Sequence, residues 1–135
     1  MQSLIYLRLD EQAPTTYTIP LLEALKELLP ELTVFEFDNF SDTNIRQYGA
    51  DLAKQSQRLA VVVAIVHPEA SIAGLTTFFN QMLKNKPESL LLALQGEQPV
   101  LEKMLAALSK ANAGPGLYKN PSDGDLQDLL QQFFS

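Results

Sequence analysis

The chain has 135 residues, 46% of them apolar and 19% charged, with a formal net charge of −6 and no cysteine. That length suits one domain with its own core, and the composition is globular rather than disordered. The missing cysteine excludes disulfides, thiolate metal sites and a cysteine nucleophile, while the acidic balance, with no window rich in Lys and Arg, opposes binding to nucleic-acid phosphates.

Arg8, Asp10 and Glu11 interrupt the first apolar stretch before a signal-peptide hydrophobic region can form. The longest apolar run, eight residues, is far short of a membrane span. A cytoplasmic protein that avoids membranes and nucleic acid is the resulting expectation.

Ser3 to Leu9 reads as a first strand, with Ile5, Leu7 and Leu9 on one face and Leu4, Tyr6 and Arg8 on the other. A loop from Asp10 to Thr16 follows. Thr18 is placed to cap a helix reaching Leu29, with Pro20 in its first turn, a stripe of Leu21, Leu22, Leu25, Leu28 and Leu29, and Pro30 as its stop. Thr33 to Asp38 alternates: Phe35 and Phe37 face one way, Val34, Glu36 and Asp38 the other. A half-polar strand belongs at a sheet edge. Ser41 or Asp42 can cap a second helix reaching Gln57, whose stripe is Ile45, Tyr48 and Leu52. Gly49 in its middle costs about 1 kcal/mol relative to Ala.

Leu59 to Val66 is apolar without a break and rich in valine, so it predicts a strand covered on both faces. A helix from Ser71 to Lys84 carries Ile72, Leu75, Phe79, Met82 and Leu83 on one face, with Phe78 at its edge. Ser89 to Leu94 is a second doubly apolar strand. Gly96 to Pro99 opens a helix bearing Val100, Leu101, Met104, Leu105 and Leu108, which the turn at Gly114-Pro115-Gly116 ends. Gly116 to Lys119 is a short final strand. Ser122 caps a last helix with Asp123 and Asp125 in its first turn and a stripe of Leu126, Leu129, Leu130 and Phe133.

Five strands thus alternate with five helices, without an internal repeat or a linker. Such alternation predicts an α/β/α sandwich on a parallel sheet with right-handed crossovers. The polarity of the strands fits the order 2-1-3-4-5, the flavodoxin-like arrangement. Sites in open α/β sheets lie beyond the carboxyl ends of the strands. That rim would gather Asp10, Glu11, Asp38, Asp42, His67, Glu69, Glu97, Asp123 and Asp125, with Arg46 and Lys119 as nearby cations.

A rim rich in carboxylates opposes phosphate, and neither a P-loop nor G-x-G-x-x-G is present, so FMN and dinucleotides are not expected. The first loop has Thr15 and Thr16 but no glycine. Asp10 and Glu11 offer oxygen ligands for Mg²⁺. Asp42, Glu97, Asp123 and Asp125 fit helix starts, where acids complement the dipole. His67, the only histidine, stands at a strand end as a candidate acid or base, or as an ordinary strand exit before Pro68. Tyr6, Tyr17, Phe40, Tyr48 and Tyr118 are candidates to line a pocket or to pack the core and edges.

The stretch from Gly116 through Lys119, Asn120 and Pro121 to Leu130 resembles the close of response-regulator receiver domains, where a Lys-Pro step precedes the last helix, and Asp10-Glu11 resembles their acidic metal pair. The resemblance implies Lys119 as the family's lysine. Asn120 separates it from Pro121, the Val66-His67 region replaces the phospho-accepting Asp, and Gln95 replaces the Ser or Thr after the fourth strand. A receiver-like fold without phosphotransfer follows.

Residues 3 to 95 also resemble Toll-interleukin receptor domains. The order of elements is similar, the second strand ends in Phe37-Asp38, and Ser56-Gln57-Arg58 runs into the apolar strand. Enzymatic members cleave NAD with a glutamate in the following helix. Here Ser71 to Lys84 holds no acid, and Thr76 and Thr77 stand in that region.

The leading expectation is a small interaction or regulatory module without catalysis, meeting a protein partner or a second copy through a helix and an edge strand. The alternative is a Mg²⁺-dependent phosphoryl- or glycosyl-processing enzyme built on Asp10 and Glu11, with His67 or Lys119 assisting.

Overall fold

A computed structural model describes residues 2–11, 19–41, 43–72, 75–84, 89–111 and 117–135. Thr15, Thr16, Tyr17, Thr18, Asp42 and the Gly114–Gly116 turn lie outside the described residues, as does the side chain of Arg46.

Five strands and five helices alternate: β1 (Gln2–Leu9), α1 (Pro20–Leu28), β2 (Thr33–Asp38), α2 (Thr43–Gln55), β3 (Arg58–Ile65), α3 (Leu75–Lys84), β4 (Ser89–Gln95), α4 (Pro99–Ala111), β5 (Leu117–Lys119) and α5 (Asp123–Phe134). The strands form one sheet in the order β2-β1-β3-β4-β5, and every pairing is parallel. This is the doubly wound, flavodoxin-like arrangement.

β3 is the reason for the two helical layers. Leu59 to Ala64 are all buried, whichever face they occupy. Val61 and Val63 point into a core shared with Ile5, Leu7, Leu92 and Leu94 and covered by α2, α3 and α4. Ala60, Val62 and Ala64 point into a second core with Leu4, Tyr6, Leu91 and Ala93, covered by α1 and α5. Burying each large aliphatic or aromatic side chain contributes about 1.5–3 kcal/mol. At the amino end of the sheet, Arg58 donates to the carbonyls of Phe133 (3.3 Å) and Ser135 (2.8 Å), and Gln2 to that of Phe134 (3.2 Å). A cation at these last carbonyls satisfies them and complements the helix dipole.

Several helices depart from the sequence reading. α1 begins on Pro20 with Ile19 as its cap residue, and no side chain caps it. Pro at the first helical position lacks an N–H that would otherwise go unmet, which lowers the need for a cap. α3 begins at Leu75 rather than Ser71. Phe78 is buried in full, edge-on to Phe37 and Phe79 with ring centroids 5.2 Å from each. Val100 is exposed while Leu101 and Leu105 carry the packing of α4, and Phe134 is buried where Phe133 is only partly so.

The largest departure is α2. Ile45 and Tyr48, two members of its expected stripe, are exposed, and the buried side is Gly49, Ala50, Leu52 and Ala53. Small residues bring the helix backbone close to the aromatic cluster beneath it. A Cβ on Gly49 would stand 3.1 Å from Phe78 Cε2 and 3.4 Å from Phe35 Cε1. Close packing therefore outweighs the propensity cost of a glycine in mid-helix.

Gly49→Val separates these two effects. Propensity alone makes valine the better helix residue by a few tenths of a kcal/mol, whereas crowding against Phe35 and Phe78 is expected to destabilise the domain by about 1–3 kcal/mol. Urea unfolding of both proteins reads the sign directly.

Candidate functional site

The strand order reverses at β1, which has β2 on one side and β3 on the other, and the rim beyond these strands holds most of the polar residues that the sequence singles out. β1 and β3 stay joined past their ends, because the N–H groups of Val66 (2.8 Å) and His67 (3.2 Å) both donate to the Leu9 carbonyl. Asp10, Glu11, His67 and Glu69 are thereby brought together.

The carboxylates of Asp10 and Glu11 each meet a protein group. Asp10 Oδ2 lies 3.1 Å from Arg8 Nη2, and its Oδ1 accepts from the Glu11 N–H at 2.7 Å. The Asp10 backbone is held by Asn39, whose side chain accepts from its N–H and donates to its carbonyl, both at 3.0 Å. Asn39 is buried and extends the β1–β2 pairing by one side-chain rung. The sequence reading passed over it, although an Asn one residue past a strand end is the visible signal. Asp38 organises the β2–α2 connection, with Oδ1 accepting from the Phe40 N–H at 2.7 Å. Lys119 is exposed at the end of β5, three strands and about 14 Å of sheet away from β1.

His67 Nδ1 has two neighbours with opposite demands. Glu11 Oε1 and the Glu69 N–H both stand 3.3 Å from it. A protonated Nδ1 donates to the glutamate, whereas a bare Nδ1 accepts from the N–H.

On the β4–β5 side the loops are tied to each other. Gln95 Nε2 donates to Asp123 Oδ1 at 2.8 Å, and the Gly96 N–H donates to Asn120 Oδ1 at 3.0 Å. Gly96 has φ 89°, and a Cβ there would stand 2.9 Å from the Ile65 carbonyl oxygen, so only glycine fits. Asn120 has φ 48°, a conformation that Asn tolerates better than most residues. The residue that separates Lys119 from Pro121 thus supplies the contact joining the two loops. Ser122 caps α5 as expected, accepting from the Asp125 N–H at 3.1 Å.

Beside the switch point, on the α1–α5 face, a cleft of about 350 Å³ opens. β1 contributes Tyr6 and Arg8, the start of α1 contributes Ile19, Pro20 and Leu21, and Val66 and Asp123 complete the lining. Arg8 entered the sequence reading only as a strand residue.

On the other face, at the β2 edge, apolar residues reach the surface. Ile45 and Tyr48 are three apart on α2, so they share a face, and Tyr48 covers the ring of Phe35 at 4.8 Å. Phe40, in the β2–α2 connection, is 49% exposed, Ile45 40% and Tyr48 54%, fractions high for side chains of this size.

No family model matches the chain, and no curated protein matches it. Among the described residues no helix is long and apolar enough to cross a membrane.

Asp10 and Glu11, the expected Mg²⁺ ligands, each already face a protein group. A guanidinium holds one carboxylate, an imidazole faces the other, and among the described residues no group of three acidic or imidazole ligands converges. Millimolar Mg²⁺ is therefore expected to leave Tm unchanged. A rise of about 5–15 °C in wild type alone, absent from Asp10→Asn/Glu11→Gln, would assign the pair to a metal.

Proposed function

We propose that this domain is a non-catalytic interaction module that docks a partner protein on the outer side of α2 and the adjoining β2 edge. The observation that carries the reading is that the side chains left exposed at this corner, Phe40, Ile45 and Tyr48, are large and apolar. Burying apolar side chains of this size contributes about 1.5–3 kcal/mol each, enough for a few of them to anchor an interface.

Support also comes from the rim. Asp10 and Asp38 are engaged in an ion pair and in backbone hydrogen bonds, which is what a receiver-like or Toll-interleukin-receptor-like fold without catalysis would retain. β2 is paired on one side only, so its free edge lies next to the helix surface. Helix-in-groove contact and strand addition are both routes to recognition from such a corner.

Charge selects the partner. Asp38 holds the backbone of Phe40, and Asp51 lies one turn beyond Tyr48 with Gln47 donating to it at 3.0 Å. The complementary surface presents apolar anchors flanked by Lys or Arg, and it belongs to another protein.

Phe40→Asp combined with Ile45→Glu tests this without touching the core. The double variant is expected to keep the wild-type Tm and to lose, by about tenfold or more, the affinity for a partner recovered with wild type and identified by mass spectrometry. Binding by wild type is expected to weaken as salt rises. Equal affinity in the variant, or a wild-type dimer at tens of micromolar in sedimentation, would sink the proposal.

A further inference from the structure

We infer that Met104 is a reversible oxidation site, taking one oxygen atom from a hydroperoxide, and that the Thr76 hydroxyl receives that oxygen at the seam between α3 and α4. The inference does not rest on the reading of the α2 surface.

The chain has no cysteine, so its methionine thioethers are the sulfur groups that a peroxide can meet. Two of the three methionines lie among the described residues, and their settings differ. Met82 is 0% exposed and belongs to the core beneath α2, α3 and α4. Met104 is only partly buried and packs against the margin of that core. Leu101 and Leu105 carry the buried face of α4, and helical spacing puts Met104 on the flank of that face. There Thr76, an exposed residue of α3, donates its hydroxyl to the Met104 sulfur at 2.9 Å. A sulfur in contact with a surface hydroxyl is within reach of a small oxidant from solvent, whereas the Met82 side chain is sealed in the core.

The reaction is a two-electron oxygen transfer. The sulfur lone pair attacks the terminal oxygen of the hydroperoxide. An S–O bond forms as the O–O bond breaks, the sulfur gives up two electrons, and the proton of the terminal oxygen passes to the leaving oxygen, which departs as water or an alcohol. The product is polar where the thioether was apolar, a change that disrupts packed seams. Here a donor already stands at the sulfur. A thioether is a weak acceptor, so the Thr76 hydroxyl gains little from it in the reduced protein. The sulfoxide oxygen accepts far more strongly, and the same hydroxyl satisfies it with no new group brought in. Thr76 thereby separates modification from unfolding: the seam takes up the oxygen and stays packed until a sulfoxide reductase removes it.

Treatment of the folded chain with dilute hydrogen peroxide, read by peptide mass spectrometry, tests the site. Met104 is expected to gain one oxygen at least about tenfold faster than Met82. Thr76→Val keeps the shape of the side chain and removes the donor. Oxidation is expected to lower its Tm by about 3 °C or more beyond the loss in wild type, the scale set by one polar group without a partner. Thr76→Ser, which keeps a hydroxyl, is expected to follow wild type, and Met104→Leu to hold its Tm through the same treatment. Oxidation of Met82 as fast as Met104 in the folded chain would overturn the proposal. So would equal losses of Tm on oxidation in wild type and Thr76→Val.

Discussion

β3 has no polar side. Its residues from Leu59 to Ala64 are buried whichever way they point, so the strand must lie between two helical layers as well as between two other strands. A parallel sheet with right-handed crossovers meets both demands. With β3 in the middle, β1 and β4 take the flanking places, and the half-polar β2 and the three-residue β5 fall to the edges. The site follows from the same constraint. The order turns at β1, so its carboxyl end lies at the switch point, beside the cleft.

Around that end Asp10 and Asp38 hold protein groups. Asp10 neutralises Arg8 on the same strand and fixes where its guanidinium lies. Asn39 pins the Asp10 backbone to β2, and the Leu9 carbonyl pins it to the start of the β3 exit. Exposed ion pairs in isolation contribute little, but Arg8 and Asp10 are only 21% exposed each and sit in a bonded framework. The result is a charged group positioned beside the cleft at small entropic cost. A metal site would need the reverse, carboxylates turned outward with oxygens to spare.

Fold was legible in the sequence because hydrophobic period and strand polarity are local signals. The eight-residue apolar run, the alternation of Phe35 and Phe37 against Glu36 and Asp38, and Ser122 ahead of two acids each have one reading. α2 was not legible in the same way. Of its buried residues Leu52 was read from the stripe, but Gly49, Ala50 and Ala53 carry too little side chain to mark a face, while the larger Ile45 and Tyr48 do. Which side of a helix is buried depends on the room beneath it, and the room over Phe35 and Phe78 is set by residues of two other elements. The cleft was hidden for a related reason. Tyr6 and Arg8 come from the beginning of the chain and Asp123 from near its end, and only the closing of α5 onto the α1 face brings them to one place.

The exposure of Ile45 and Tyr48 is a consequence of how α2 is seated, but its apolar character is not. Once Gly49 and Ala53 bring the helix close to the sheet, positions 45 and 48 must face outward, and any helix-forming polar residue would serve there at no cost to the core. Tyr48 has a partial structural role, because its ring shields Phe35 at the open edge of the sheet. Ile45 is 40% exposed and Phe40 49%, and neither belongs to the core clusters on either face of the sheet. Apolar surface in that position lowers solubility without stabilising the fold. It acquires a use when a second molecule covers it, and the three side chains fall within nine residues of one another, whereas the other exposed large apolar residues, Leu28, Val66, Val100 and Tyr118, are scattered along the chain.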